Sequence, residues 1–298
     1  MRWNGGTARP MRAAGGIAIT AVLAGCSSGL SAARLSASPQ GRPERILAAP
    51  SGVVSAAQPQ PNGTMWVLAG SPSSRGLFRM DLGTGRSIGS VSVSGDAKSV
   101  AQSLNGTIGL AIGTRTSGAL ELLNGSTATV AKTVPLGAPA RGAAIGADGT
   151  TFYVLDGNRS SASVTVVNSI SGRIQGTVSV PLNTTSVIPS PDQTRLYTLQ
   201  ADGLVSEIAV AGGKEMDSFT VGDPGKSVTI SPDGSTLYVL KDASGEMNVA
   251  VVSLATDIIR KVMPAPAHSV QVVISADGNQ LYELSGTAAY GNIQIFGV

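Results

Sequence analysis

Residues 231–240 read Ser-Pro-Asp-Gly-Ser-Thr-Leu-Tyr-Val-Leu. Asp233-Gly234 is a tight-turn signal, because both residue types tolerate positive φ. The apolar segment Ser227-Val228-Thr229-Ile230 precedes it, and a strand carrying Tyr238 follows it. The unit therefore reads as a β-hairpin. The same unit recurs along the chain, at Asn62-Gly63, Asn105-Gly106, Asp148-Gly149, Asp192-Gln193 and Asp277-Gly278. Successive turns are 43, 43, 44, 41 and 44 residues apart. Trp66, Tyr153, Tyr197, Tyr238 and Tyr282 share one position after the turn, whereas the second repeat has Gly109 there and must pack differently.

Each hairpin is followed by two further strand-like segments. The third strands are expected at residues 77–82, 119–123, 163–168, 204–210, 248–254 and 292–296. The fourth strands are expected near 88–93, 128–134, 174–180, 215–221 and 258–263. Four short antiparallel strands in 41–44 residues are the signature of a β-propeller blade. The last repeat stops at its third strand, and Arg45-Ile46-Leu47-Ala48 offers the missing fourth. The expectation is an all-β, six-bladed β-propeller of four-stranded antiparallel blades, closed by that N-terminal strand. Closure leaves few exposed edges. A solenoid is the other architecture for such a repeat, but neither end looks like a cap.

Residues 146–155 (GADGTTFYVL), 190–199 (SPDQTRLYTL), 231–240 (SPDGSTLYVL) and 275–284 (SADGNQLYEL) resemble the repeats of YVTN-type β-propellers. The resemblance spans roughly residues 45–298. It implies the propeller fold and often an extracytoplasmic location, but no single activity, so function must be argued from the site.

The N-terminus reads as an address. Arg2, Arg9 and Arg12 precede an apolar run at residues 13–23, which is too short to span a bilayer. Leu23-Ala24-Gly25-Cys26 resembles the lipobox of bacterial lipoproteins, and Cys26 is the chain's single cysteine. That resemblance implies cleavage before Cys26, lipidation of Cys26 and attachment to a membrane. Residues 1–25 are thus expected to be a lipoprotein signal peptide. Residues 26–42, rich in Ser, Ala and Gly, are expected to be a flexible tether, and residues 43–298 the propeller. The expected location is the extracytoplasmic face of the cell membrane.

Composition narrows the function. Only 13% of the 298 residues are charged, and the net charge of +3 comes from the three N-terminal arginines, since 18 cations then balance 18 carboxylates. No basic stripe marks a nucleic-acid surface. One cysteine and one histidine exclude a disulfide framework and a thiolate or histidine metal cage within one chain. No metal or other cofactor is expected, and the chain is expected to be a monomer.

In a propeller, the segments leading into the first strands and the loops between second and third strands share one face. The Asn-Gly and Asp-Gly hairpins lie on the other. The lead-in segments read Lys98-Ser99-Val100, Arg141-Gly142-Ala143, Thr185-Ser186-Val187 and Lys226-Ser227-Val228. Aligned on Ser-Val, the sixth is His268-Ser269-Val270, while the first, Ser51-Gly52-Val53, carries no charge. The loops between second and third strands add Arg75, Arg115 and Arg159, together with Asp156, Asp202, Asp242 and Glu246. Lys98, Arg141, Lys226, His268, Arg75, Arg115 and Arg159 are therefore the candidate ligand-binding residues. They form a cationic funnel for an anionic ligand or an envelope partner. The opposing reading is ordinary solvated charge, partly paired with Asp96 and Asp223.

Catalytic signals are weak. No Gly-x-Ser-x-Gly elbow is present. Gly225-Lys226-Ser227 imitates the end of a phosphate loop, but Thr220 stands where the earlier glycine belongs, and a strand follows instead of a helix. His268 remains a general-base candidate. The acidic loop residues are spread around a face, which does not suit Ca²⁺. Two alternatives to a binding module stay open: a lactonase-like propeller hydrolase acting at the channel, and a structural envelope protein without a small ligand.

Overall fold

The computed structural model describes residues 41–298, apart from Arg159. The expected signal peptide, Cys26, the expected tether up to residue 40 and Arg159 lie outside the described residues. The described residues form 24 strands in six four-stranded antiparallel sheets. Five sheets are consecutive in sequence. The sixth joins three C-terminal strands to Arg45–Ala49, which pairs with Gly291–Gly297 through Arg45↔Ile295 and Ala49↔Gly291. The architecture is an all-β six-bladed propeller closed by its N-terminal strand.

The turns that punctuate the sequence build the hairpins. In all six, the Asn or Asp side chain accepts the N–H two residues on. The distance is 3.1 Å at Asn62, 2.9 Å at Asn105 and Asp148, 3.0 Å at Asp192 and Asp233, and 3.1 Å at Asp277. The next residue takes positive φ each time. It is glycine in five turns and Gln193, at φ 58°, in the other.

Cohesion lies between blades. Six clusters of buried apolar side chains each join two neighbours; Tyr282 and Leu284 of blade six, for instance, pack with Met65 and Val67 of blade one. The shared aromatics are all buried there. Gly109 departs from them because the Phe152 ring of blade three occupies the space. A Cβ on Gly109 would stand 2.7 Å from Phe152 Cε1.

The inner strands are Val53–Ala56, Ala97–Gln102, Ala140–Ile145, Thr184–Pro189, Gly225–Ile230 and Ser269–Ile274. Each pairs on one side only, so its free edge faces the central channel. A belt of side chains caps N–H groups on those edges from one blade to the next. Ser55 Oγ accepts from Val100 N–H at 3.2 Å, and Ser99 Oγ from Ala143 N–H at 3.2 Å. Ser186 and Ser227 do the same for Val228 and Val272 at 3.3 Å each. Gln271 closes the seam, accepting from Ala56 N–H at 2.7 Å and donating to the Ala56 carbonyl at 3.2 Å.

Candidate functional site

Every inner strand carries a β-bulge at its mouth end, between Val53 and Ser55, Ala97 and Ser99, Ala140 and Gly142, Thr184 and Ser186, Gly225 and Ser227, and Ser269 and Gln271. A bulge re-aims the extra residue. The six extra residues are Val54, Lys98, Arg141, Thr185, Lys226 and Val270. This register corrects the alignment of blade six. Val270, not His268, is the counterpart of Lys98, and His268 sits two residues upstream, exposed, at φ 66°. The segment crossing into blade six is longer, so matching on Ser-Val slipped by two. Likewise Val54, rather than a residue of Ser51–Val53, fills the position in blade one. The ring is therefore cationic across blades two, three and five and apolar at blades six and one.

The central channel is a cavity of about 440 Å³, and Lys98, Arg141 and Lys226 line it. They are the only charged residues among its described lining. At the hairpin end it is lined by Pro59, Leu104, Pro191 and Pro232. A second cavity of about 640 Å³ opens between blades two and three, lined by Lys98, Arg115, Arg141, Thr114, Asn158 and Ser160, among others. Lys98 and Arg141 border both cavities.

The candidate cations thus divide. Lys98, Arg115 and Arg141 converge on one pocket, are exposed, and form no ion pair among the described residues. Arg141 is steered by a bond from Nη2 to the Asn158 carbonyl at 3.1 Å. Lys226 stands across the channel, 3.7 Å from Asp242, with Nζ 3.4 Å from Met247 Sδ. Asp223 pairs instead with the buried Lys241, at 2.7 Å. Arg75 is half-buried, donates to the Ala97 carbonyl at 3.2 Å and lines neither cavity; burial lowers its pKa. Asp156 is buried, and the hydroxyls of Ser163 and Thr165 donate to its two oxygens.

One buried acid escaped the sequence reading. Glu283, in the second strand of blade six, is 0% exposed. Its Oε1 has no partner among the described residues, and its Oε2 meets the Ser285 hydroxyl at 3.4 Å. Burial pushes its pKa up to about 7, and the Ser269 and Ser285 hydroxyls oppose that rise only in part. It lines neither cavity. Among the described residues no three His, Cys, Asp or Glu side chains are grouped to hold a metal.

No protein-family model matches the sequence, and no curated protein sequence matches it. Among solved structures, the chain is similar to Kuenenia stuttgartiensis hydrazine synthase, with a TM-score of 0.65 and 15% identity over 83% of each chain. At that identity the likeness establishes the propeller fold alone.

Proposed function

We propose that this propeller is a binding module for an anionic ligand, held outside the cytoplasmic membrane by a lipid on Cys26. The observation that carries the reading is the convergence on one pocket beside the channel of Lys98, Arg115 and Arg141, which form no ion pair among the described residues. Guanidinium groups match carboxylate and phosphate bidentately, and Lys98 adds a point charge. A concave mouth of one sign focuses potential even on a chain of balanced charge. The Ser-Pro-Asp-Gly…Leu-Tyr-Val-Leu repeats support a YVTN-type assignment, and Leu23–Cys26 supports the lipoprotein anchor.

Binding is preferred to turnover because the described channel lining holds no carboxylate, histidine or cysteine to act as general base or nucleophile. His268 lies outside both cavities. The test is thermal denaturation of the full chain carrying Cys26→Ser against phosphates, acidic sugars and envelope fragments. A ligand at 100 times its dissociation constant adds about 2.7 kcal/mol of stability. The expected result is a stabilisation by anions that disappears when Lys98, Arg115 and Arg141 are replaced by alanine. Equal stabilisation of both proteins, or none of either, refutes the reading. Membrane association of the wild-type chain, lost with Cys26→Ser, tests the anchor.

A further inference from the structure

The belt of capped N–H groups has one break. Gly142 lies opposite Leu155, the position taken in the other blades by Ser55, Ser99, Ser186, Ser227 and Gln271. The residue it would cap is Val187, the counterpart of Ala56, Val100, Ala143, Val228 and Val272. In the shared register the Val187 N–H faces the channel edge, and no described side chain accepts from it. Nothing in the backbone calls for glycine at 142. Its φ is not positive, and a Cβ there would meet only Leu155 Cβ, at an ordinary 3.9 Å. The space left by the absent side chain belongs to the channel, whose lining includes Gly142, Ser186 and Val187. Arg141, at the bulge, is the adjacent residue and borders both cavities.

We infer that this break is a ligand subsite. An anionic oxygen, of a carboxylate or a phosphate, takes the place of the absent hydroxyl, accepting the Val187 N–H while the Arg141 guanidinium balances its charge. The subsite rests on the anion-binding reading of the mouth and locates one end of that ligand. A free donor with a cation at the adjoining bulge is an arrangement that suits an oxyanion, and a charged hydrogen bond is stronger than a neutral one. The other five positions have their donor already used, so they offer the ligand no such contact.

The experiment uses the ¹⁵N-labelled full chain carrying Cys26→Ser, titrated with inorganic phosphate and, separately, with glucuronate. The Val187 amide resonance is expected to move with whichever probe binds. Gly142→Ser supplies the missing hydroxyl. It should fold with equal or higher thermal stability, slow exchange of the Val187 amide several-fold, and weaken the probe tenfold or more. Gly142→Ala, which fills the space without an acceptor, should weaken the probe and leave amide exchange unslowed. If the wild-type chain binds a probe and Gly142→Ser binds it equally well, or the Val187 amide stays still, the subsite is wrong and the cationic mouth stands. If neither probe binds the wild-type chain, both readings fall.

Discussion

On the hairpin face, Asp148, Asp192, Asp233 and Asp277 each accept two or more hydrogen bonds from their own turn. On the mouth face, Lys98, Arg115 and Arg141 form no ion pair among the described residues. The two faces carry charge for different reasons. The aspartates recur because each hairpin needs an acceptor at that place. Their bonds hold the carboxyls below the usual range, and Ser190 and Thr194 bring Asp192 to about 2. Lys98 and Arg141 sit on bulges that fold equally well with Val54 or Val270, and Arg115 sits in an exposed loop, so the fold does not require them. Charge that the fold neither uses nor neutralises is the better guide to function.

That contrast can be broken by mutation. The largest effect is expected from replacing Lys98 and Arg141 together by alanine. Anion binding should weaken by about 3–6 kcal/mol, the sum of two charged contacts, while thermal stability holds. Equilibrium dialysis with labelled phosphate reads the first, and a thermal melt the second.

Next comes Glu283. Its folded pKa of about 7 exceeds its ordinary 4.5, so the folded chain binds the extra proton. Stability is therefore full below the ordinary value and lost as pH rises through 7, by about 3 kcal/mol. The hairpin carboxylates act with the opposite sign. Their contribution is present above 3.8 and, for Asp192, is lost as pH falls towards about 2. Stability should thus peak between the two arms, near pH 4–5. Glu283→Gln should flatten the arm above pH 5 and leave the acid arm unchanged. Urea titrations across pH 3–9 check both.

A smaller effect is expected from Asp148→Ala, which removes the acceptor for Thr150 and Thr151. Stability should fall by about 1–2 kcal/mol with anion affinity unchanged. Any loss of anion binding in this variant would erase the distinction between the faces. The smallest effect belongs to Gln193→Gly. Relief of positive φ gains about 1 kcal/mol, but the bond from the Tyr153 hydroxyl to Gln193 Oε1 at 3.2 Å is lost. The net change should stay within about 0.5 kcal/mol in a denaturant titration.

The blades were legible because their signals are local. The Asx-led turns and the aromatic three or four residues after them lie within ten residues of each other, and their period counts the blades. The closing strand was legible because the last repeat lacked one. What escaped depends on register. The two-residue slip at His268 arose because Ser-Val occurs both at Ser269-Val270 and, in other blades, one place past the bulge. Gly142 was visible in the list of lead-in segments, yet only the belt of hydroxyls shows what its missing side chain leaves open. Glu283 occupies the place of Val67, Val154 and Val239 in the other blades. The repeat marks that place as buried, but not that Glu283 Oε1 is left without a partner among the described residues.

Lys98, Arg115 and Arg141, which form no ion pair among the described residues, are proposed to form an anion site between blades two and three. The most direct test of that proposal is a crystal of the protein soaked in tungstate and measured at the tungsten edge. An anomalous peak is expected within hydrogen-bond reach of Lys98 and Arg141, absent when both are alanine. Peaks elsewhere with that pocket empty would contradict it.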